Sequence, residues 1–147
     1  MKLVDLNLLL YAVNGDAPLH ARARAWLERT LSEPEPVVLP WVVVLGFLRI
    51  VTHARVIAEP LDAERAMAIV DGWLERPNVM TLGPGEGHWS TLCGLLRASG
   101  TAGNLTTDAH LAALALEHEA ELCSTDGDFA RFAGVRWNNP LAASGPA

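Results

Sequence analysis

The sequence predicts a three-layer α/β/α fold with a mostly parallel central sheet. Short apolar segments that favour strands alternate along the chain with longer segments of helical periodicity. The chain has 147 residues, which is enough for one domain with its own hydrophobic core. Half of the residues are hydrophobic and 19% are charged, so the composition is that of a globular protein rather than a disordered one.

The first half of the chain supplies two predicted strands and three predicted helices. Residues 2–4 form an apolar strand that ends at Asp5. Apolar residues at i, i+3 and i+4 spacing predict a helix from Asp16 to about Leu31. The β-branched run at 37–39 is the second strand. The apolar stretch from Pro40 to Thr52 is too long for one strand and is predicted to be a buried helix, and Asp62 caps a third helix that Pro77 stops.

The second half of the chain repeats the alternation. The predicted elements are a strand at 79–82, a helix at 88–98, a helix that Asn104 or Thr106 caps and that ends near His118, a strand at 121–124, a single turn at 128–132 and a strand at 135–137. We expect residues 1–141 to form a single domain and residues 142–147 to form a frayed tail.

The charge and cysteine content exclude several classes of protein. The net charge of −6 argues against a protein that coats nucleic acid through a basic face, although it allows a local basic groove. Cys93 and Cys123 lie in no CxxC or zinc-binding pattern, so both are predicted to be reduced and mostly buried, as in a cytoplasmic protein. No stretch of about 18 apolar residues exists, so no membrane span is expected.

Four aspartates stand where an α/β fold places its ligand site. Asp5 follows the first strand, Asp108 lies in the first turn of a helix, and Asp126 and Asp128 follow the strand at 121–124. Alone, Asp108 could favour a helix N-terminus, and Asp126 and Asp128 could form a turn. Together they favour a site for Mg²⁺ or Mn²⁺, because a hard cation relieves the repulsion between converging carboxylates.

Three blocks of the sequence resemble the signature blocks of PIN domains, most closely those of VapC-type toxins from bacterial toxin–antitoxin pairs. The blocks are VDLNLL at 4–9, NLTTDAHLAALA at 104–115 and LCSTDGDF at 122–129. The resemblance covers nearly the whole chain in order and spacing. It implies a PIN-like fold and an Mg²⁺-dependent endoribonuclease, in which Mn²⁺ can substitute. It also implies a homodimer and neutralisation by a cognate VapB-type antitoxin.

The resemblance also implies roles for individual residues. The implied catalytic residues are Asp5, Asp108, Asp126 and Asp128. Of these, the metal ligands would be Asp5, Asp108 and Asp126. Asn7 and Thr125 are expected to support the site, since Thr125 matches a position where the family commonly has a hydroxyl residue.

One position departs from the family pattern. The family usually has a glutamate in the helix after the second strand, and Gly46 stands at the matching place. Glycine inside a helix costs about 1 kcal/mol relative to alanine, so a packing or functional reason is expected for it. Its presence leaves open whether the site holds one ion or two. It also leaves open whether the nuclease is weak or silent.

Two alternatives to the nuclease hypothesis follow. A non-enzymatic interaction module would keep the fold for antitoxin binding, with a partner groove between the helices at 41–52 and 62–76. A metal-dependent phosphatase of small molecules would need a second aspartate where Asn7 stands, which weighs against it. For the nuclease, Arg49 is a candidate RNA contact because it lies nearly one helical turn after Gly46.

Overall fold

A computed structural model describes residues 1–143 of the chain. Its strands are β1 (Lys2–Val4), β2 (Val37–Val38), β3 (Val79–Met80), β4 (Glu121–Cys123) and β5 (Trp137–Asn138). Its helices are α1 (Leu6–Val13), α2 (His20–Thr30), α3 (Trp41–Val51), α4 (Ala63–Leu74), α5 (His88–Ser99) and α6 (Thr106–Glu117). Two 3₁₀ turns cover Gly103–Leu105 and Gly127–Arg131. Over this span, none of the helices is long and apolar enough to cross a membrane.

The five strands form one sheet in the order β3-β2-β1-β4-β5, and each pairing in it is parallel. The chain moves outward from β1 through β2 to β3 and then crosses to the other side of β1 at β4. Since parallel crossovers are right-handed, helices α1 to α4 cover one face and α5 and α6 cover the other. The predicted three-layer fold is therefore confirmed.

The strands are apolar because the sheet is covered on both faces. The side chains of β1, β2 and β4 supply fully buried core residues such as Leu3, Val37 and Leu122. On the helical side, Phe47 of α3 packs edge-on against Trp73 of α4, with ring centroids 4.8 Å apart. This core fixes the carboxyl ends of β1 and β4 next to each other.

Helix α1 was missing from the sequence prediction. Asp5 ends β1 and also caps α1, since its carboxylate accepts a hydrogen bond from the Leu6 N–H at 2.7 Å. The run from Leu6 to Val13 is almost wholly apolar, so it carries no polar face that would mark it as a helix. One residue thus serves as strand end, helix cap and candidate ligand.

Several predicted boundaries were wrong by one to four residues. Helix α2 begins at His20 rather than Asp16, and no side chain caps it. Helix α6 begins at Thr106 after a 3₁₀ turn, with neither Asn104 nor Thr106 acting as a side-chain cap. The predicted strand at 135–137 forms instead at Trp137–Asn138. Of the tail predicted at 142–147, residues 144–147 lie outside the described residues.

The cysteines and the Asp62 cap follow the sequence prediction, whereas some aromatic residues do not. Both cysteines are free, with Cys123 buried and Cys93 half-buried. Asp62 accepts a hydrogen bond from the Arg65 N–H at 2.8 Å, as expected of a helix cap. Helical spacing predicts that most of the five tryptophans lie in the core, and Trp41 and Trp89 are exceptions, since they are 54% and 73% exposed.

Gly46 has a packing reason. A Cβ atom at this position would lie 2.8 Å from Leu6 Cδ2, because α1 crosses α3 closely here. Ordinary van der Waals contact between carbon atoms is about 3.5–4.0 Å. The absence of a side chain at Gly46 therefore leaves room against α3 for Leu6, the residue next to Asp5.

We predict that Gly46→Ala stabilises the protein less than Gly72→Ala does. A methyl group at Gly72 meets no atom within 4 Å, so this control gains the full helix-propensity difference of about 1 kcal/mol. At Gly46 the methyl group must displace the Leu6 side chain. Urea unfolding of both variants measures the difference, and Leu6→Ala should restore the gain at position 46. Equal gains in stability from Gly46→Ala and Gly72→Ala in the protein that retains Leu6 would contradict this account.

Candidate metal centre

The candidate site lies where β1 and β4 end side by side. The two strands are paired over their whole length, and the Asp5 N–H extends the pairing with a hydrogen bond to the Cys123 carbonyl at 3.0 Å. The helical connections on the β2 side of β1 run over one face of the sheet, and the connection to β4 runs over the other face. The carboxyl end of β1 is therefore the topological switch point, where open parallel sheets bind ligands.

The Asp5 carboxylate is held in one orientation. Its exposure is only 8%, and each oxygen has a defined partner. Oδ1 accepts from the Leu6 N–H, and Oδ2 accepts from the Ser124 hydroxyl at 2.7 Å and from the Asn7 amide at 3.2 Å. A buried carboxylate with this many donors is positioned for a task rather than solvated.

Ser124 links the two halves of the site and was missed by the sequence analysis. Its hydroxyl donates to Asp5 and accepts from the Asn7 amide and the Asp126 N–H, both at 3.0 Å. Thr125, the residue named for this role, contributes its backbone N–H to Asn7 Oδ1 at 3.4 Å. The sequence shows only that Ser124 is the first polar residue after Leu122 and Cys123, because its contacts with Asn7 and Asp5 span 117 and 119 positions.

Three of the four predicted aspartates converge. One carboxylate oxygen each from Asp108, Asp126 and Asp128 lies within 4.8 Å of the others. Asp108 comes from the first turn of α6, and the other two come from the 3₁₀ turn after β4, which Asp126 caps because its Oδ1 accepts from the Asp128 N–H at 2.9 Å. Asp5 lies outside this group of three.

Electrostatics couple Asp5 to that cluster. Burial raises the pKa of Asp5 above its ordinary value, and the charge of Asp126 raises it further. Burial, followed by the charges of Asp126, Asp5 and Asp128, raises the pKa of Asp108 to about 6. Asp5 and Asp108 therefore resist carrying their charges beside Asp126.

The donor set fits a hard divalent cation. Carboxylate oxygens are the ligands that Mg²⁺ and Mn²⁺ prefer, and a bound ion removes the repulsion that raises the pKa of Asp108. Among the described residues, Arg131 is the one basic side chain in an ion pair with the cluster, at 3.7 Å from Asp128, and the pair is largely exposed. A single exposed guanidinium does not neutralise four carboxylates.

Gly46 and Arg49 contribute no charge to the cluster. Gly46 packs against Leu6, and no glutamate from α3 enters the site. Arg49 is exposed in the last turn of α3 and forms none of the ion pairs found within residues 1–143. The acidic side chains of the site thus come from β1, α6 and the turn after β4.

Comparison with known proteins places this architecture in a family. The model of the PIN domain matches residues 2–135. Ribonuclease VapC33 of Mycobacterium tuberculosis is 48% identical over 141 residues, covering 96% of this chain and 99% of the relative. Ribonuclease VapC37 of the same species is 44% identical over 142 residues, covering 97% and 99%.

Solved structures share the fold at lower identity. VapBC2 from Rickettsia felis, bound to a DNA fragment from its promoter, has a TM-score of 0.69 at 16% identity and covers 94% of this chain and 97% of its own. VapC20 of Mycobacterium tuberculosis, described as a sarcin-ricin loop cleaving toxin, has a TM-score of 0.66 at 18% identity and covers 92% and 99%. The match of the family model over most of the chain, and relatives of 44–48% identity, show that the chain belongs to the PIN-domain family and to its VapC group.

Proposed function

We propose that this protein is an Mg²⁺-dependent endoribonuclease, the toxin of a toxin–antitoxin pair, acting in the cytoplasm. The observation that carries the proposal is the convergence of Asp108, Asp126 and Asp128 beside the buried Asp5 at the switch point of the sheet. Two relatives that span the whole chain are named ribonucleases, which supports RNA as the substrate. Mn²⁺ is expected to substitute for Mg²⁺.

Asp5, Asp108 and Asp126 would hold the ion, with Asp128 completing the catalytic set. When bound, the cation orients the scissile phosphate, lowers the pKa of a water and stabilises the charge that develops on the phosphate. The chain itself fixes the ligands. Ser124 and Asn7 donate hydrogen bonds to Asp5 Oδ2, so the carboxylate would need little reorganisation when the ion binds.

The same cluster makes RNA binding depend on the metal. Without a cation, the four carboxylates repel the phosphate backbone. Arg131 is the basic side chain best placed to contact a phosphate, because it lies at the rim beside Asp128 and is more than half exposed. Arg49 remains a second candidate on α3. RNA cleavage and RNA binding are therefore expected to share one metal requirement.

A silent interaction module is the alternative that Gly46 raised. The packing of Gly46 against Leu6 gives this glycine a structural reason that does not require loss of activity. The four carboxylates also remain in place. The nuclease is therefore the function that the site supports best.

Asp5→Asn is predicted to abolish RNA cleavage while the protein stays folded. The amide oxygen can still accept from the Leu6 N–H and cap α1, but it supplies no charge to the ion. Purified protein is incubated with a cellular RNA pool in Mg²⁺, in Mn²⁺ and in EDTA. Asp16→Asn, an exposed aspartate in the turn before α2, is the control and should cleave like the wild type. Discrete fragments from Asp5→Asn would contradict the proposed chemistry.

The metal-free protein is predicted to lose stability as the pH rises from about 4 to about 6. The folded-state pKa of Asp108, about 6, lies above the ordinary aspartate value of 3.8, so the folded state binds the extra proton in this window. Stability is highest below the window and reaches a lower plateau above it. Urea unfolding in EDTA measures this slope, and Asp108→Asn should flatten it and be more stable than the wild type at pH 7.5. Parallel pH curves for the two proteins would rule out this origin of the slope.

We further propose that a VapB-type antitoxin covers an apolar surface on α3 and α4, and that the toxin is a homodimer. The docking surface consists of Trp41, Leu45 and Met67, which are 54%, 60% and 42% exposed. Glu64 and Asp71 border the same groove, so a helix with both basic and apolar side chains suits it. Light scattering coupled to gel filtration tests the homodimer.

Leu45→Glu is predicted to stay active as a nuclease but to escape neutralisation. A carboxylate in the centre of the docking surface would lose its solvation when the antitoxin binds. Co-expression with the cognate antitoxin and co-purification provide the measurement. Val56→Glu changes an equally exposed apolar residue outside the surface and should still be neutralised. If Leu45→Glu is neutralised as well as Val56→Glu, the antitoxin binds elsewhere.

A further inference from the structure

A buried polar network joins α5 to α6 on the side of α6 that faces away from the metal centre. His88 is the first residue of α5, and its two ring nitrogens contact two residues of α6. Nδ1 lies 3.1 Å from Glu117 Oε2, and Nε2 lies 2.8 Å from His110 Nδ1. The two imidazole rings also meet edge to face, with centroids 4.8 Å apart.

The hydrogen-bonding partners fix a direction along this network. The Glu117 carboxylate accepts from His88 Nδ1–H, and in the neutral His88 ring Nε2 is then left to accept from His110 Nδ1–H. The side chains of His88 and Glu117 are only 11% and 15% exposed. The network therefore forms an ordered contact inside the α5–α6 hairpin rather than a surface ion pair.

The network is not built for stability alone. Glu117 Oε1 is buried and has no hydrogen-bond partner among the described residues. A buried polar atom without a partner costs about 1–3 kcal/mol, and apolar side chains of similar volume often pack in such a place at no loss. In some proteins a polar network retained at such a cost specifies a position.

The position it specifies is that of the N-terminal turn of α6. His110 follows Asp108 by two residues, so the two side chains leave α6 in roughly opposite directions. No side chain caps the N-terminus of this helix. The apolar packing of α6 is supplied by Leu111 and Leu114 together with small alanines, and the contact of His110 with His88 adds a polar contact two residues from Asp108.

Repulsion acts on the same turn from the other side. Asp126 and Asp128 approach the Asp108 carboxylate and push α6 away from the turn after β4. We propose that the His88–His110–Glu117 network is a positioning device that holds α6 against this repulsion and thereby sets Asp108 for the metal ion. The inference rests on the proposed metal site, and His88, His110 and Glu117 act through Asp108 without touching the ion.

The test is the affinity for Mn²⁺ alone, read from the electron paramagnetic resonance signal of the free ion. His110→Phe keeps the ring and its edge-to-face packing but removes the hydrogen bond to His88. We expect it to weaken Mn²⁺ binding several-fold, because a shifted α6 moves the Asp108 carboxylate away from the other ligands. His110→Asn should restore the affinity, because its amide donor stands close to where the imidazole Nδ1–H lies.

His118→Phe is the matched control within the same hairpin. His118 bonds the Gly83 carbonyl at 3.0 Å and belongs to no part of the network, so its loss should lower the melting temperature without changing Mn²⁺ affinity. The double variant His88→Leu/Glu117→Leu removes the network from the other side and leaves no buried charge. It should stay folded and also bind Mn²⁺ several-fold more weakly.

Each outcome bears on the proposal. Wild-type affinity in either His110→Phe or the double variant would show that the network only stabilises the hairpin, and would overturn the inference. Equal weakening by His118→Phe would do the same, since any damage to the hairpin would then suffice. If the wild type binds no Mn²⁺, the metal site itself fails, and the failure is then distinguishable from one confined to the network.

Discussion

The repulsion among four carboxylates at one edge of the sheet is the constraint on which the rest of the site depends. Asp108, Asp126 and Asp128 bring oxygens within 4.8 Å of one another, and Asp5 lies buried beside them. Among residues 1–143, the one ion pair that these acids form is the largely exposed pair of Asp128 with Arg131, which does not compensate for this arrangement. A folded protein can keep the four carboxylates close only if the strand end, helix or turn that carries each one holds it in place. A bound cation would use these carboxylates as ligands.

The fold distributes this holding over distant parts of the chain. Strand β1 and its pairing with β4 bring Asp5 to Ser124, 119 residues further along the chain. In the turn after β4, the Asp128 N–H donates a hydrogen bond to Asp126 Oδ1 and so holds the two aspartates together. Helix α6 carries Asp108, and its opposite side is tied to α5. The switch point of a parallel sheet makes the site because it brings a strand end and two helical segments together.

The sequence was sufficient for the fold class because alternating apolar strands and amphipathic helices leave few topologies open. It also singled out four aspartates as a set, of which the structure brings Asp108, Asp126 and Asp128 together. It could not identify α1, whose almost uniformly apolar residues show no helical periodicity. It missed Ser124 and the partners of His88 because those contacts join residues far apart in the chain, and it could not show that Leu6 occupies the space beside Gly46.

The most direct test of the central claim is the number of protons released when Mg²⁺ binds. Isothermal titration calorimetry in two buffers of different ionisation enthalpy measures this number at pH 6 and at pH 8. Because the pKa of Asp108 is about 6, binding at pH 6 should release about half a proton from this group. Asp5, whose pKa is also raised, adds to the release, which should fall towards zero at pH 8. Mg²⁺ binding without proton release at pH 6 would contradict the claim that the ion takes the place of protons on these carboxylates.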